Sequence, residues 1–395
     1  MSPILPDRRA VSLGLAALLA ACGKSEPETE AAPAPAPRAA GDPAPPPVIT
    51  DVLSLKALLD AQLAASGLPA LAAAVGAREG LILNAAAGVR RMGDADTVTT
   101  EDHWHIGSCT KAMTAALYAR LVEQGKARWG ATIPELLPNL AGQIDPAFNA
   151  TTVEQLMSHR AGLIDIGGPW VIARRMDKRP LVEQRMETTR AALGLPPGGK
   201  PGEYAYANLN YLIVGAAIER ITKKPWEEAI AEHVFTPLGM STAAFGPPVA
   251  PAPEGHAANL TGAFTPRGKG PVSDNPMALG PAGTVNLTFE DWAKFGAVFW
   301  DKDQTFLAPE NVAHLTTPPA GADYALGWAV AEHKTAGRIF THAGSNTMWL
   351  AQIVVVPSLG ASVLTASNSA SPKTDDTIRL ITGALVASLA NGTIR

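Results

Sequence analysis

Ser108 and Lys111 stand three residues apart at the start of a run whose apolar residues, Met113, Ala116, Leu117 and Leu121, recur at helical spacing. Positions i and i+3 are neighbours on a helix surface, so a hydroxyl and an amine can sit within hydrogen-bond reach there. A serine becomes a nucleophile only when a base removes its proton. A lysine can be that base if burial and nearby cations lower its pKa from about 10.4 by roughly 3 units, about 4 kcal/mol. The helix N-terminus adds positive potential beside a developing oxyanion. The same spacing also fits a plainer role, an N-cap serine followed by a solvated lysine. Tyr206 and Asn208 form a second pair. Residues i and i+2 of an extended segment face one side, so both can enter one cleft. Tyr204 shares their phase.

The elements that must carry these residues follow from periodicity. Val52, Leu53, Leu55, Leu58, Leu59 and Leu63 predict a helix over 51–66 that stops at Gly67. The apolar runs Ala70–Ala77 and Leu81–Val89, split by Arg78-Glu79-Gly80, predict a hairpin. Helices are expected over 108–124, 151–159, 209–222, 226–234 and 288–300, with Pro/Gly-rich loops at 133–147, 196–202 and 247–283. Strands return at Tyr324–Ala331, Ile339–Ala343, Trp349–Val356 and Ala361–Ser367, and a helix over Asp375–Leu389 closes the chain. Strands near both ends predict an α+β fold: one sheet built from 51–107 and 320–395, with a mostly helical lobe inserted at about 108–319.

The stretch His105-Ile-Gly-Ser-Cys-Thr-Lys-Ala-Met-Thr-Ala resembles the nucleophile segment of class C serine β-lactamases and of their relatives among penicillin-binding proteins, DD-peptidases and esterases. Two further motifs follow in that family's order. Tyr206-Ala207-Asn208 resembles its Tyr-x-Asn loop, and His342-Ala343-Gly344 stands where the family has Lys-Thr-Gly. Val153–Leu163, Phe235–Met240, Pro281–Val285 and Leu326–Trp328 are flanking landmarks, so the resemblance covers about residues 51–395. It implies an antiparallel sheet flanked by helices. It also implies Ser108 as nucleophile, with Lys111 and Tyr206 moving protons and Asn208 bonding the substrate amide or carbonyl. Gly344 lets substrate lie against an edge strand, and the N–H groups of Ser108 and Ser345 form the oxyanion hole. His342 replaces a permanently charged lysine with a group expected to titrate near neutrality, and Ala343 replaces a threonine hydroxyl. Both changes weaken the grip on a β-lactam carboxylate. The resemblance therefore implies a serine hydrolase working through an acyl-enzyme, an esterase or a D-amino-acid or peptide hydrolase ahead of a β-lactamase. A penicillin- or cell-wall-binding protein without turnover is the competing reading. No cofactor or metal is implied.

Other segments imitate chemistry. Ser273-Asp274-Asn275 spells the second motif of class A β-lactamases, but in a loop far beyond Ser108. Lys334-Thr335-Ala336-Gly337 is one residue too long for Lys-Thr-Gly. His103 and His105 lack the further ligands of a metallo-hydrolase. His159 is expected to pack below the cleft, and Cys109 to be a small buried residue of the nucleophile helix.

The chain begins with an address. Arg8-Arg9, the apolar run Ala10–Ala21 and the ending Leu19-Ala20-Ala21-Cys22 form a secretory signal. Its end resembles the bacterial lipobox, which implies a lipid-bearing Cys22 and a membrane partner. The Arg8-Arg9 pair also loosely resembles a twin-arginine export signal. Residues 23–50, Pro- and Ala-rich, read as a tether with a reach of up to ~80 Å. The 32 basic and 36 acidic residues among 395 carry no electrostatic footprint for nucleic acid, and two cysteines exclude a disulfide framework.

Overall fold

The computed structural model describes residues 47–259, 262–268 and 273–394. The signal, the tether as far as residue 46 and Cys22 lie outside the described residues. In chain order the main elements are α1 (Val52–Ser66), β1 (Ala70–Ala77), β2 (Gly80–Gly88), α2 (Thr110–Glu123), α3 (Gly168–Met176), α4 (Leu181–Leu193), α5 (Asn208–Thr222) and α6 (Phe289–Ala297). They continue as β3 (Ala329–His333), β4 (Gly337–Ser345), β5 (Leu350–Val356), β6 (Ala361–Ser367) and α7 (Pro372–Ala390).

Six strands form one sheet in the order β2-β1-β6-β5-β4-β3. All its pairs are antiparallel. The β1–β6 register runs from Leu71↔Ser367 to Gly76↔Ser362, so the two ends of the chain meet inside the sheet. Strand alternation then splits the side chains between two cores. Leu71, Ala73 and Val75 join α1 and α7 through Leu55, Leu59, Ile378, Ile381 and Leu385. Ala70, Ala72 and Ala74 face the core shared with α2, α5 and α6. Each large aliphatic side chain buried there contributes about 1.5–3 kcal/mol.

The order of elements agrees with the sequence reading, and four differences have physical causes. Helices α3 and α4 occupy a stretch where apolar periodicity marks nothing. The buried face of α4 is polar, with Gln184, Arg185, Thr188 and Thr189, and α3 buries no residue at all. Helix α2 is buried on nearly every side rather than along one apolar stripe. The strand expected at Tyr324–Ala331 begins only at Ala329, because 324–328 turns onto α2; a Cβ on Gly327 (φ +85) would come within 2.8 Å of the Ala112 Cα. Helix α6, expected in the helical lobe, lies on the sheet. Gly76 and Gly296 permit this, since a Cβ on either would meet Ala293 or Ser362 at 2.8 Å.

Candidate active site

Ser108 sits in a single 3-10 turn, Gly107–Cys109, that leads into α2. Three side chains converge on it. Lys111 Nζ lies 3.0 Å from Ser108 Oγ, one turn along the same helix. Tyr206 donates its O–H to Ser108 Oγ at 2.8 Å from the extended segment before α5. Asn208, the first residue of α5, reaches Lys111 through Oδ1 at 2.8 Å. Lys111 also reaches the Ala282 carbonyl at 2.7 Å. Tyr204, in phase with Tyr206, lies elsewhere, under the Arg160 guanidinium at 5.4 Å.

Burial sets the protonation states. Lys111 is fully buried, and desolvation brings its pKa down to about 7, with the Asp165 carboxylate opposing the shift. Just above neutrality the amine carries two hydrogens and one lone pair. Asn208 Oδ1 and Ala282 O can only accept, so they take both hydrogens and leave the lone pair for the Ser108 hydroxyl. Desolvation pushes Tyr206 well above the usual phenol range, so it stays protonated and donates to Ser108. Cys109 is held as a thiol by burial and donates to the His342 carbonyl at 3.2 Å, on the far side of the turn from the chemistry.

Strand β4 closes the other side. A Cβ on Gly107 would come within 2.5 Å of Ser345 N, and one on Gly344 within 2.6 Å of Ser108 N. Two glycines thus let the backbones carrying the Ser108 and Ser345 amides pack against each other. His342 departs from expectation. Its Nδ1–H donates to the Ala343 carbonyl at 2.7 Å, and its Nε2 accepts from Tyr324 O–H at 2.9 Å. Burial, reinforced by Lys111, drives its pKa down to about 3. It is a neutral buried residue through the physiological range, not a group that titrates near neutrality.

Two contributors escaped the sequence reading. Tyr324 fixes His342 from the loop before β3. Asp165 accepts from Asn208 N at 2.9 Å and from Asn208 Nδ2 at 3.0 Å. The second bond fixes which way the Asn208 amide points, and so which atom meets Lys111. A signal existed: α5 begins after Ala207, which has no side chain to cap the helix, so its first N–H groups need an acceptor from elsewhere.

The imitators resolve into structural roles. His105 bonds Asp274 at 3.1 Å and His103 bonds Asn286 at 3.2 Å. Lys334 and Thr335 are exposed in the turn between β3 and β4. His159, with a left-handed φ of 58°, is buried against the Tyr206 ring at 4.3 Å and accepts from Ala207 N at 3.3 Å.

Penicillin-binding protein 4 of Amycolatopsis lactamdurans is 27% identical over 271 residues, which cover 67% of this chain and 65% of that protein. Unguisins hydrolase ungD' of Aspergillus campestris is 27% identical over 303 residues, covering 69% of this chain and 53% of the relative. The chain therefore spans between about half and two thirds of these relatives' lengths. The octameric penicillin-binding protein homologue from Pyrococcus abyssi superposes with a TM-score of 0.69 at 21% identity, covering 86% of this chain and 77% of that one. The D-amino acid amidase from Ochrobactrum anthropi SV3, complexed with D-phenylalanine, superposes with a TM-score of 0.68 at 19% identity, covering 85% and 98%. These likenesses establish the fold. The family model described as Beta-lactamase matches residues 55–388. The chain belongs to the beta-lactamase family.

Proposed function

We propose that the protein is a serine hydrolase that cleaves an ester or amide through an acyl-enzyme on Ser108. The observation that carries this reading is the fully buried Lys111 amine 3.0 Å from the Ser108 hydroxyl, with burial lowering its pKa to about 7. Lys111 takes the hydroxyl proton as Oγ attacks the substrate carbonyl. The Ser108 and Ser345 N–H groups receive the oxyanion. Tyr206 passes its phenolic proton to the leaving alcohol or amine and recovers one from the Lys111 ammonium. Water then attacks the acyl carbonyl and gives a proton to the same pair; the Ser108 Oγ–acyl bond breaks, Oγ takes that proton back, and the acid leaves.

Within that class a small ester or a D-amino-acid or peptide amide ranks ahead of a β-lactam. Neutral His342 offers no charge to a substrate carboxylate. The nearby Arg160 is engaged with the Ser158 and Tyr324 carbonyls. The resemblance of Leu19-Ala20-Ala21-Cys22 to a lipobox adds export and a lipid anchor to the proposal. Incorporation of a palmitate analogue, abolished in Cys22→Ser, tests the anchor.

The full chain should be labelled at one residue by a fluorophosphonate or a fluorescent penicillin, and should hydrolyse a p-nitrophenyl ester. Ser108→Ala should lose both. Failure of any probe to form an adduct on the wild-type protein sinks the acyl-enzyme reading; an adduct without turnover points instead to a penicillin-binding protein.

A further inference from the structure

The segment Ser273-Asp274-Asn275, which the acyl-transfer chemistry leaves unused, lies against the oxyanion hole. We infer that Asp274 is a positioning residue for that hole, holding the Ser108 and Ser345 amides in register by bonding to the chain beside each. This rests on the acyl-enzyme reading above.

The two amides belong to segments distant in sequence, one in the turn before α2 and one at the end of β4. The Gly107–Gly344 contact sets how closely they approach, but a steric wall does not hold them there. Asp274 ties both. On one side its Oδ2 meets His105 Nε2 at 3.1 Å, and His105 Nδ1 accepts from Gly107 N at 3.1 Å. An N–H can only donate, so Nδ1 is the acceptor and Nε2 carries the hydrogen given to Asp274. On the other side Asp274 Oδ1 accepts from Asn346 Nδ2 at 2.5 Å. Asn346 is oriented in turn, because its Oδ1 accepts from Met348 N at 3.1 Å and Trp349 N at 3.0 Å. One carboxylate therefore joins the residue before Ser108 to the residue after Ser345.

The clamp is buried and anchored. His105, Asp274 and Asn346 are all buried, and the His105 ring stacks on Trp349 at 5.5 Å. The Asp274 carbonyl accepts from Arg175 Nε and Nη2 at 3.1 and 2.6 Å, and Asn275 Nδ2 donates to the Gly283 carbonyl at 2.9 Å. Oxyanion donors work only within a few tenths of an ångström of where the charge develops. Asp274 touches no reacting atom; it acts through both donors at once.

The test uses the full chain with an ester that gives an observable acyl-enzyme. In Asp274→Asn, and in the milder Asn346→Ala that cuts only the β4 side, kcat should fall roughly tenfold to a hundredfold, with KM within about threefold. The pH midpoint assigned to Lys111 should not move. The infrared carbonyl band of the acyl-enzyme should shift to higher frequency or split, since weaker oxyanion bonds polarise the carbonyl less. Asn346→Ala keeps the test open if Asp274→Asn does not fold. An adduct whose carbonyl band is unchanged in a folded variant, or an unchanged kcat, overturns the clamp while leaving the acyl-enzyme reading intact. Absence of any wild-type adduct at Ser108 overturns that reading and the clamp with it.

Discussion

The Lys111 amine is fully buried, and two of its three hydrogen-bond neighbours can only accept. Carbonyl oxygens from Asn208 and Ala282 consume its hydrogens, and burial brings its pKa to about 7. Below that pH the amine is protonated and has no lone pair for Ser108, so kcat/KM should rise through a midpoint near pH 7 and then level. His342, already neutral above about pH 3, should add no second ionisation in that range. A profile falling between pH 6 and 8 would assign the base elsewhere. The same logic reaches Asp165, whose bond to Asn208 Nδ2 keeps the Asn208 oxygen on Lys111. Asp165 is exposed, so solvent screens this bond and holds its contribution to about 1 kcal/mol. Asp165→Ala should therefore lower kcat by about 2- to 10-fold, as read from initial rates of ester hydrolysis, while Ser108 still labels.

Strand β4 and the turn into α2 act as one unit, and glycine is the reason. A Cβ on Gly344 would overlap the Ile106 carbonyl oxygen and crowd the Ser108 and Cys109 amides. Gly344→Ala must push the strand away from the turn, so activity should drop at least a hundredfold, and thermal denaturation should register a loss of about 1–3 kcal/mol. Normal turnover in that variant would show that β4 has room the backbone contacts deny. Helix α2 gains its rigidity similarly, through neighbours on every side. Thr114 Oγ1 donates to the Pro281 carbonyl at 2.8 Å, and Thr110 Oγ1 accepts from Val285 N at 3.3 Å. The 280–287 segment is thereby laid along the helix that carries Ser108 and Lys111.

The whole molecule holds the cleft between a sheet made from both chain ends and helices inserted between them. One buried ion cluster fastens part of that insertion. Arg185 of α4 bonds Glu219 of α5 at 2.6 Å and Glu227 at 2.8 Å, and both Arg185 and Glu219 are almost fully buried. Removing one partner of a buried pair leaves the other uncompensated, at about 3–5 kcal/mol. Arg185→Met should lower the melting temperature by several degrees or more, measured by calorimetry, with the pH midpoint of activity unchanged in the protein that remains folded. A melting temperature equal to the wild type's would mean that the cluster contributes little to holding α4 on α5.

Periodicity and spacing were enough for much of this protein. Short continuous apolar runs marked β1, β5 and β6, whose residues are buried on both faces of the sheet. Helical spacing beside Ser108-x-x-Lys111 set hydroxyl and amine one turn apart. Those are local facts of backbone geometry, and a sequence carries them. Contacts between distant segments are not local. The α4 helix was hidden because its buried face is mostly polar, and the charge of Arg185 on it is compensated by Glu219 and Glu227 across the lobe. Asp165 and Tyr324 had no chemistry of their own until folding set them beside Asn208 and His342. The charge state of His342 was likewise a tertiary decision. An imidazole titrates near neutrality in water, and only desolvation, reinforced by the nearby Lys111, keeps it neutral here down to about pH 3.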